Sequence, residues 1–407
     1  MVALHQARWL LPIDTPPIEW GGIVVDDHRI VAVGVASELK RHYPDASATD
    51  HGDRVLLPGL INAHTHLELS WMGAEPLPRG DYALWLERLL ETRTRIDLSS
   101  AKNAAADALA FAIDHGTAAF GDICNDTWVA EVVSARPEVD GVLFHELLGM
   151  NPENAATTLE HGHRQVRTIG QRPDWPNDRW TVRPTPHASH SVSQPLLQAL
   201  AEQGRRDAAP LSIHLAESPA EVELLTTGRG SLRPLFDRYG FTTENYVPPA
   251  QGPVEYAERC GLLYSGTLLV HGVQLSRHCF PLLRSRGVTV VTCPRSNRWL
   301  GVGTAPVTEF VAAGIPVALG TDSLASVEDL DPFVELAALC EAAPGLSTID
   351  AVRIATLNGA RALGLADRLG SLAPGKRDRV LAIDLDGSNQ DPHDAVCNNP
   401  SARKWIG

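Results

Sequence analysis

The chain has 407 residues, of which 44% are hydrophobic, and its formal net charge is −14. This length and apolar share allow a large folded core and exclude a disordered chain. The negative charge argues against nucleic acids and anionic membrane surfaces as partners. The six cysteines stand far apart without a CxxC pair, and no stretch has the pattern of a signal peptide or a membrane helix. We therefore expect a soluble cytoplasmic protein.

Both ends of the chain have β character. Residues 22–34 hold two β-branched runs around an Asp-Asp-His turn, which is the pattern of a hairpin. Near the other end, residues 379–384 form a second β-rich stretch. We predict that residues 1–57 and 370–407 pair into one small β-sandwich domain, and that the residues from Gly387 onward are irregular.

The middle of the chain alternates between apolar runs of strand length and longer helical stretches, as βα units do. Eight such alternations favour an α/β fold, a (β/α)₈ TIM barrel over residues 58–369. The predicted strands cover residues 56–63, 117–123, 141–147, 180–184, 211–215, 268–273, 288–293 and 316–320.

The first predicted strand ends in a His-x-His pair, His64 and His66. Residues i and i+2 of an extended strand point to the same face, so the two imidazoles project together. Two adjacent imidazoles suit one transition-metal ion such as Zn²⁺ or Fe²⁺. On spacing alone, two unrelated surface histidines explain the pair equally well.

Three further predicted strands end in polar side chains able to bind a metal or carry a proton. His214 is followed by Glu217 after the fifth strand, His271 closes the sixth, and Asp322 follows the eighth. Active sites of such barrels lie at the carboxyl ends of the strands. Four strand ends of this kind at one rim favour a catalytic metal site, although His271 alone has a structural explanation as a hydrogen-bonded histidine.

Together these segments resemble the metal-dependent amidohydrolase superfamily, in particular its aminohydrolase and chlorohydrolase subgroup. The matching pieces span nearly the whole chain: PGLINAHTH at 58–66, PHA at 186–188, IHLAE at 213–217, CPRSN at 293–297, GTDS at 320–323, TLNGA at 356–360 and GSLAPGK at 370–376. Each piece is weak alone, and jointly they are specific.

The resemblance implies a role for each strand-end residue. One divalent metal, Zn²⁺ or else Fe²⁺, would be held by His64, His66, His214 and Asp322. The catalytic residues would be Glu217 and Asp322, which move protons, and His271, which contacts the water or the tetrahedral centre. Two-metal members need a bridging lysine or carboxylate at strand four, and residues 181–187 contain none. A single metal is therefore expected.

The predicted substrate contacts have open alternatives. In related deaminases the position of His187 contacts substrate, but this histidine could also cap its turn. Glu146 is equally an acceptor for a substrate hydroxyl or an ion-pair partner. Trp85 stacks on a heterocycle or packs in a helix core. Arg183 and Asn297 complete the predicted set.

The resemblance also implies the reaction. We expect a mononuclear hydrolytic deaminase in which metal-activated water attacks the amine-bearing carbon of an adenine-like nucleoside and ammonia leaves. Residues 81–86 (DYALWL) are similar to the region found in bacterial deaminases of aminofutalosine, an adenine-ribosyl compound. Alternatives with the same site are a chloro-triazine, guanine or cyclic-amide hydrolase, and a metal-binding protein without activity. The expected partner is a small heterocycle, and the expected assembly is a homodimer.

Overall fold

The computed structural model describes residues 1–242, 246–385, 391–398 and 403–406. Its strands in chain order are β1 Ala3–Gln6, β2 Trp9–Leu10, β3 Ile18–Glu19, β4 Gly21–Asp26, β5 Arg29–Val35, β6 Ser47–Asp50, β7 Arg54–Pro58, β8 Leu60–Thr65, β9 Thr117–Cys124, β10 Asp140–Leu147, β11 Trp180–Pro186, β12 Leu211–Leu215, β13 Thr267–His271, β14 Thr289–Thr292, β15 Val317–Leu319, β16 Val380–Asp384 and β17 Arg403–Trp405.

Helices connect most of these strands. The α-helices are α1 Ala36–His42, α2 Tyr82–Arg93, α3 Leu98–Asp114, α4 Val129–Ser134, α5 Ala155–Gly170, α6 Gln194–Arg206, α7 Pro219–Thr227, α8 Leu232–Arg238, α9 Pro253–Arg259, α10 Phe280–Arg286, α11 Pro294–Leu300, α12 Val307–Ala312, α13 Pro332–Ala342, α14 Thr348–Arg353, α15 Gly359–Ala362 and α16 Pro392–Cys397. Short 3₁₀ helices cover Leu67–Ala74, Pro152–Asn154 and Arg277–Cys279, and Ile354–Asn358 is a π-helical turn. Among the described residues, no helix combines the length and the apolar character that a bilayer span requires.

Strands β8 to β15 form two four-stranded parallel sheets, with the orders β8-β9-β10-β11 and β12-β13-β14-β15. Isolated parallel bridges join Ala188 to His214 and Thr65 to Asp322, so each sheet approaches the other at both edges. Strands buried on both faces have continuous apolar sequences, and for this reason the sequence predicts the alternation of strands and helices. The prediction of an α/β fold with parallel strands is confirmed.

The first predicted strand is wrong in one respect, because residues 56–63 belong to two strands. β7 pairs with β16, whereas β8 pairs with β9 in the parallel sheet. The break falls at Gly59, where a Cβ atom would lie 2.5 Å from Trp405 and 2.7 Å from Ala118. A larger residue would collide with these side chains, so the close packing at this crossing requires glycine.

The two chain ends meet in the antiparallel pair of β7 and β16. They contribute two small sheets, with the orders β5-β4-β1-β6 and β17-β16-β7-β2-β3. One apolar cluster takes side chains from both sheets, including Ile23, Ile30, Leu56 and Val380. The expectation of an irregular tail is wrong for the described part, because α16 and β17 lie there; residues 386–390, 399–402 and 407 lie outside the described residues.

Helices α2 and α8 lie over the carboxyl ends of the parallel strands and pack against each other. Leu232, Leu235 and Phe236 of α8 form an apolar cluster onto which Ala83, Leu86 and Leu90 of α2 pack. Asp81 caps α2 by accepting a hydrogen bond from the Leu84 backbone N–H. These two helices therefore build a cover above the strand ends.

Candidate active site

Four side chains from three strand ends converge in the interior. His64 lies in β8 and His66 directly after it, His214 lies in β12, and Asp322 follows β15. The ring centroid of His64 lies 4.9 Å from the ring centroid of His66 and 4.9 Å from that of His214. All four side chains are buried. We call these four residues the His–Asp cluster.

The backbone fixes this convergence. The Asp322 N–H donates to the His64 carbonyl over 3.1 Å, and the Thr65 hydroxyl donates to the Asp322 carbonyl over 2.9 Å. Asp322 has a φ of 63°, in the left-handed region that few non-glycine residues adopt. This turn directs the Asp322 side chain towards the two histidines of the first strand.

Three donor atoms of the His–Asp cluster, those of His64, His66 and Asp322, lie at distances that suit one metal ion, and His214 forms a second such group with His64 and His271. His64 Nε2 lies 3.2 Å from His66 Nε2, and Asp322 Oδ1 lies 3.8 Å and 3.6 Å from these two nitrogens. Ligands bound at about 2.0–2.1 Å around one tetrahedral centre stand roughly 3.3 Å apart. Three imidazoles and one carboxylate also match the chemistry of a catalytic zinc site.

Neighbouring groups leave the metal-facing atoms free. His214 Nδ1 donates to the His187 carbonyl over 2.9 Å, which directs Nε2 into the cluster. Asp322 Oδ2 accepts from the hydroxyls of Ser296 at 2.6 Å and Ser326 at 2.9 Å, which leaves Oδ1 for a ligand.

Burial and the neighbouring imidazoles hold the pKa of His64 well below its ordinary value. Burial acts to raise the pKa of Asp322, but nearby His66 and His271 outweigh it and the pKa is lowered. A neutral imidazole and an ionised carboxylate are the forms that bind metal.

Glu217 lies beside the His–Asp cluster and contacts two partners. Its Oε2 accepts from the Tyr82 hydroxyl over 3.0 Å, and its Oε1 lies 3.6 Å from His271 Nε2. Burial raises the pKa of Glu217 although the nearby His271 acts to lower it. His271 Nδ1 lies 3.0 Å from Asn297 Oδ1, so Nδ1 carries the proton and Nε2 faces the site. This arrangement can hold and transfer a proton.

A cavity of about 440 Å³ opens beside the His–Asp cluster, and we call it the side cavity. This volume lies within the range of roughly 300–1,000 Å³ that small-molecule sites occupy. Its polar lining includes Arg93, Glu146, His187 and His190, and its apolar lining includes Leu86, Leu90, Met150, Phe236 and Phe241. The cover helices α2 and α8 thus supply much of its apolar wall.

A model of the amidohydrolase family matches residues 55–401, which is most of the chain. The protein belongs to the amidohydrolase family. A second model, of an imidazolonepropionase-like composite domain from bacteria, matches residues 21–46 in the amino-terminal sheet.

Named relatives of this amidohydrolase include two deaminases. It is 33% identical over 353 residues to an aminodeoxyfutalosine deaminase of Deinococcus radiodurans, covering 84% of this chain and 81% of the relative. It is also 33% identical over 391 residues to a 5-methylthioadenosine/S-adenosylhomocysteine deaminase of Moorella thermoacetica. That alignment covers 92% of this chain and 84% of the relative.

A solved structure shares the fold of this amidohydrolase. It is the aminofutalosine deaminase of Helicobacter pylori in complex with methylthio-coformycin, with a TM-score of 0.84 and 23% identity. The likeness covers 97% of this chain and 95% of that one.

The structure divides the predicted substrate contacts into two groups. His187 and Glu146 line the side cavity. Trp85 instead donates from Nε1 to the Ala325 carbonyl over 2.8 Å and packs against buried side chains such as Leu69 and Met72. Its ring packs in this apolar cluster, and Trp85 is not among the residues that line the side cavity.

Arg183 and Asn297 also lie away from the side cavity lining. Arg183 lies in the middle of β11, paired in register with Phe144, three residues before the strand ends at Pro186. Asn297, in α11, contacts His271 from behind. The structure therefore gives Asn297 the position of a group that orients a catalytic candidate.

Several residues of the site were missed by sequence reasoning. Glu221 is fully buried and accepts from the backbone N–H groups of Ala216 and Glu217, at 2.9 Å and 2.8 Å. The sequence Ser218-Pro-Ala-Glu221 has the spacing of a capping box, which could have identified it. No local signal marks Tyr82 or Ser296, because their partners lie 135 and 26 residues away in the chain. Ser326 lies only four residues after its partner Asp322 and was missed as well.

Proposed function

We propose that this amidohydrolase is a hydrolytic deaminase of an adenine-like, nucleoside-type substrate. The observation that carries the proposal is the juxtaposition of Glu217, a buried acid with a raised pKa, and the His–Asp cluster. The names of the relatives from Deinococcus radiodurans and Moorella thermoacetica, both deaminases, support the same reaction class. Between these relatives, an aminodeoxyfutalosine-like substrate and a 5-methylthioadenosine-like substrate are the two leading candidates.

One divalent metal would be held by His64, His66, His214 and Asp322. When bound, this ion supplies a Lewis acid that lowers the pKa of a water molecule to about 7. Three nitrogens and one carboxylate favour Zn²⁺, with Fe²⁺ as the second choice.

The proton transfers are assigned to two carboxyl groups. Asp322 is the acceptor for the proton that the attacking water loses, and the hydroxyls of Ser296 and Ser326 hold this carboxylate in place through Oδ2. Glu217, whose pKa is raised by burial, donates its proton to the ring nitrogen next to the attacked carbon. The proton taken up by Asp322 passes to the leaving amine, and the hydroxyl proton of the tetrahedral carbon returns to Glu217 as the C–N bond breaks. Water thereby gives its oxygen to the ring carbon, the exocyclic C–N bond breaks, and ammonia leaves.

His271 and His187 would hold the reacting ring from two sides. The Nε2 atom of His271 is directed towards Glu217 and the centre of the site, where it can contact the water or the tetrahedral carbon. His187 Nδ1 lies 2.5 Å from the Ser191 hydroxyl, which leaves Nε2 free for a ring nitrogen in the side cavity.

The architecture that presents this site is proposed to be one closed (β/α)₈ barrel over residues 58–369. The bridges Ala188–His214 and Thr65–Asp322, which link the two parallel sheets at both edges, support closure. The shared apolar cluster of the end sheets supports a β-sandwich of residues 1–57 and 370–407. The cytoplasmic location and the homodimer stay predictions.

A substrate panel tests the proposed function. Zinc-loaded protein is incubated with adenosine, 5′-methylthioadenosine, S-adenosylhomocysteine, aminodeoxyfutalosine, guanine and a chloro-triazine, and ammonia and chloride release are measured. We expect ammonia from at least one adenine nucleoside. Chloride release would instead indicate a chloro-triazine hydrolase. Ammonia release from guanine alone would indicate a guanine hydrolase. No turnover with any compound would reject deamination.

A further inference from the structure

The backbone turns sharply between β12 and α7, directly before the candidate acid Glu217. Ala216 has a φ of 55°, in the left-handed region that residues other than glycine rarely adopt. A residue keeps such a conformation only where the surrounding structure holds it there. The direction of the Glu217 side chain therefore depends on the groups that hold this turn.

Glu221, in the first turn of α7, holds the turn with both oxygens of its side chain. Its Oε1 accepts from the Ala216 N–H over 2.9 Å, and its Oε2 accepts from the Glu217 N–H over 2.8 Å. These two N–H groups belong to the peptide units on either side of Ala216. Rotating Ala216 out of its left-handed conformation would turn at least one of them away from the carboxylate.

The Glu221 side chain is itself fixed by its surroundings. It is fully buried, and its backbone N–H donates to Ser218 Oγ over 3.2 Å at the start of α7. The Ser189 hydroxyl donates to Oε1 over 3.4 Å, and His190 Nδ1 lies 3.9 Å from the same oxygen. A carboxylate held from several elements in this way is a rigid support for its neighbours.

Glu221 supports the acid without contacting the space for a substrate. It is not among the residues that line the side cavity, and both of its oxygens are used by groups of the protein. Its effect on a reaction must therefore pass through Glu217, which it adjoins.

The charge of Glu221 acts on Glu217 as well. Burial raises the pKa of Glu217, and the negative charges of Asp322 and Glu221 add to this rise, whereas His271 and the Tyr82 hydroxyl act to lower that pKa. These four groups face Glu217 from four elements: α2 (Tyr82), α7 (Glu221), β13 (His271) and the turn after β15 (Asp322).

We propose that Glu221 is the positioning residue of the catalytic acid: its carboxylate fixes the left-handed turn at Ala216 and thereby aims Glu217 at the substrate; this inference rests on the proposed deaminase function. An acid transfers its proton only within hydrogen-bond reach of the acceptor, so a loosened turn lowers kcat. The two N–H groups need two acceptor oxygens, and an amide side chain has only one. A glutamine at this position can therefore hold only one side of the turn.

The test compares Glu221→Gln with Glu223→Gln, an exposed glutamate on the same helix. The kcat, KM and zinc content of both variants and wild type are measured with the adenine nucleoside that wild type converts fastest. Glu221→Gln should lose about 10–100-fold in kcat, because a displaced acid slows the chemical step. It should keep its zinc and change KM less than about threefold. Glu223→Gln should behave as wild type.

The pH profile separates positioning of the acid from support of the fold. Glutamine has no charge, so the pKa of Glu217 should fall in Glu221→Gln. Activity that needs protonated Glu217 is lost as the pH rises through this pKa, so the alkaline limb of kcat should move to lower pH. A kcat within threefold of wild type, loss of zinc, or an alkaline limb that stays in place would overturn the positioning role.

Glu221→Asp keeps the inference testable if Glu221→Gln does not fold. Its carboxylate keeps the charge but is one methylene shorter, so it cannot reach both N–H groups. The kcat should fall about tenfold with zinc retained, and the alkaline limb should stay in place. A wild-type kcat in Glu221→Asp would contradict the positioning role.

The proposed function is judged separately, on the wild type. No ammonia from any adenine nucleoside with zinc-loaded wild type would reject deamination, and the role of Glu221 with it. An active wild type whose kcat does not depend on Glu221 would reject this role alone.

Discussion

The His–Asp cluster and the side cavity lie next to each other, but different elements of the fold supply their side chains. In the cluster, side chains come from strand ends, and second partners such as Ser296, Ser326 and the His187 carbonyl orient them. In the cavity, much of the wall comes from the cover helices α2 and α8. The rigid framework holds the chemistry, whereas loops and helices decide which molecule reaches it.

The largest expected effect comes from removing a metal ligand. His66→Ala should lose bound zinc and reduce kcat/KM by more than about 100-fold, because even loss of an outer partner of a ligand costs 10–100-fold. Metal analysis and ammonia release measure both. His42→Ala, an exposed histidine of α1, is the control and should behave as wild type. Full zinc content in His66→Ala would show that His66 does not bind the metal.

Loss of the candidate general acid should separate chemistry from metal binding. Glu217→Gln should keep its zinc but lose roughly 10²–10⁴-fold in kcat, the usual contribution of general acid–base catalysis. The exposed Glu160→Gln on α5 serves as the matched control. If zinc content drops instead of kcat, Glu217 acts on the metal and its assignment as an acid is wrong.

A smaller effect is expected at the contact between the cover helix and the catalytic acid. The Tyr82 hydroxyl lowers the pKa of Glu217 by donating to it, so Tyr82→Phe should raise that pKa further. Activity that needs protonated Glu217 is present below its pKa and lost as the pH rises through it. The alkaline limb of kcat should therefore move up by about one pH unit or less.

The pH profile of Tyr264→Phe is the control for this shift. The Tyr264 hydroxyl donates to the Ala209 carbonyl rather than to Glu217. An alkaline limb of Tyr82→Phe that stays in place, or moves to lower pH, would show that Tyr82 does not act on the acid.

The smallest effect on activity is expected at Trp85 of the cover helix α2, which packs outside the lining of the side cavity. Trp85→Phe removes the hydrogen bond to the Ala325 carbonyl, so the free energy of unfolding should fall by about 1 kcal/mol. Urea unfolding measures this loss, and kcat/KM should change less than about threefold. A tenfold fall in kcat/KM with an unchanged free energy of unfolding would indicate that Trp85 contacts the substrate.

The sequence predicted the parallel strands because a strand buried on both faces has a continuous run of apolar residues. It missed the division of residues 56–63, since β7 and β8 pair with strands that are distant in the sequence, β16 and β9. It predicted Trp85, Arg183 and Asn297 as substrate contacts, and the structure places all three outside the side cavity lining. Motif spacing predicts which strand a side chain follows, but it does not predict the direction in which that side chain packs.

The sequence by itself determined the alternation of strands and helices, the family, and the polar residues that close four strands. Local patterns carry this information because periodicity and strand-end chemistry depend on neighbours in the chain. Only the tertiary structure decided that Tyr82 contacts Glu217, that Ser296 and Ser326 occupy one oxygen of Asp322, and that the described residues offer no hydrogen bond to one buried oxygen of Glu146. Most of these relations join distant parts of the chain, and packing alone brings them within hydrogen-bond distance.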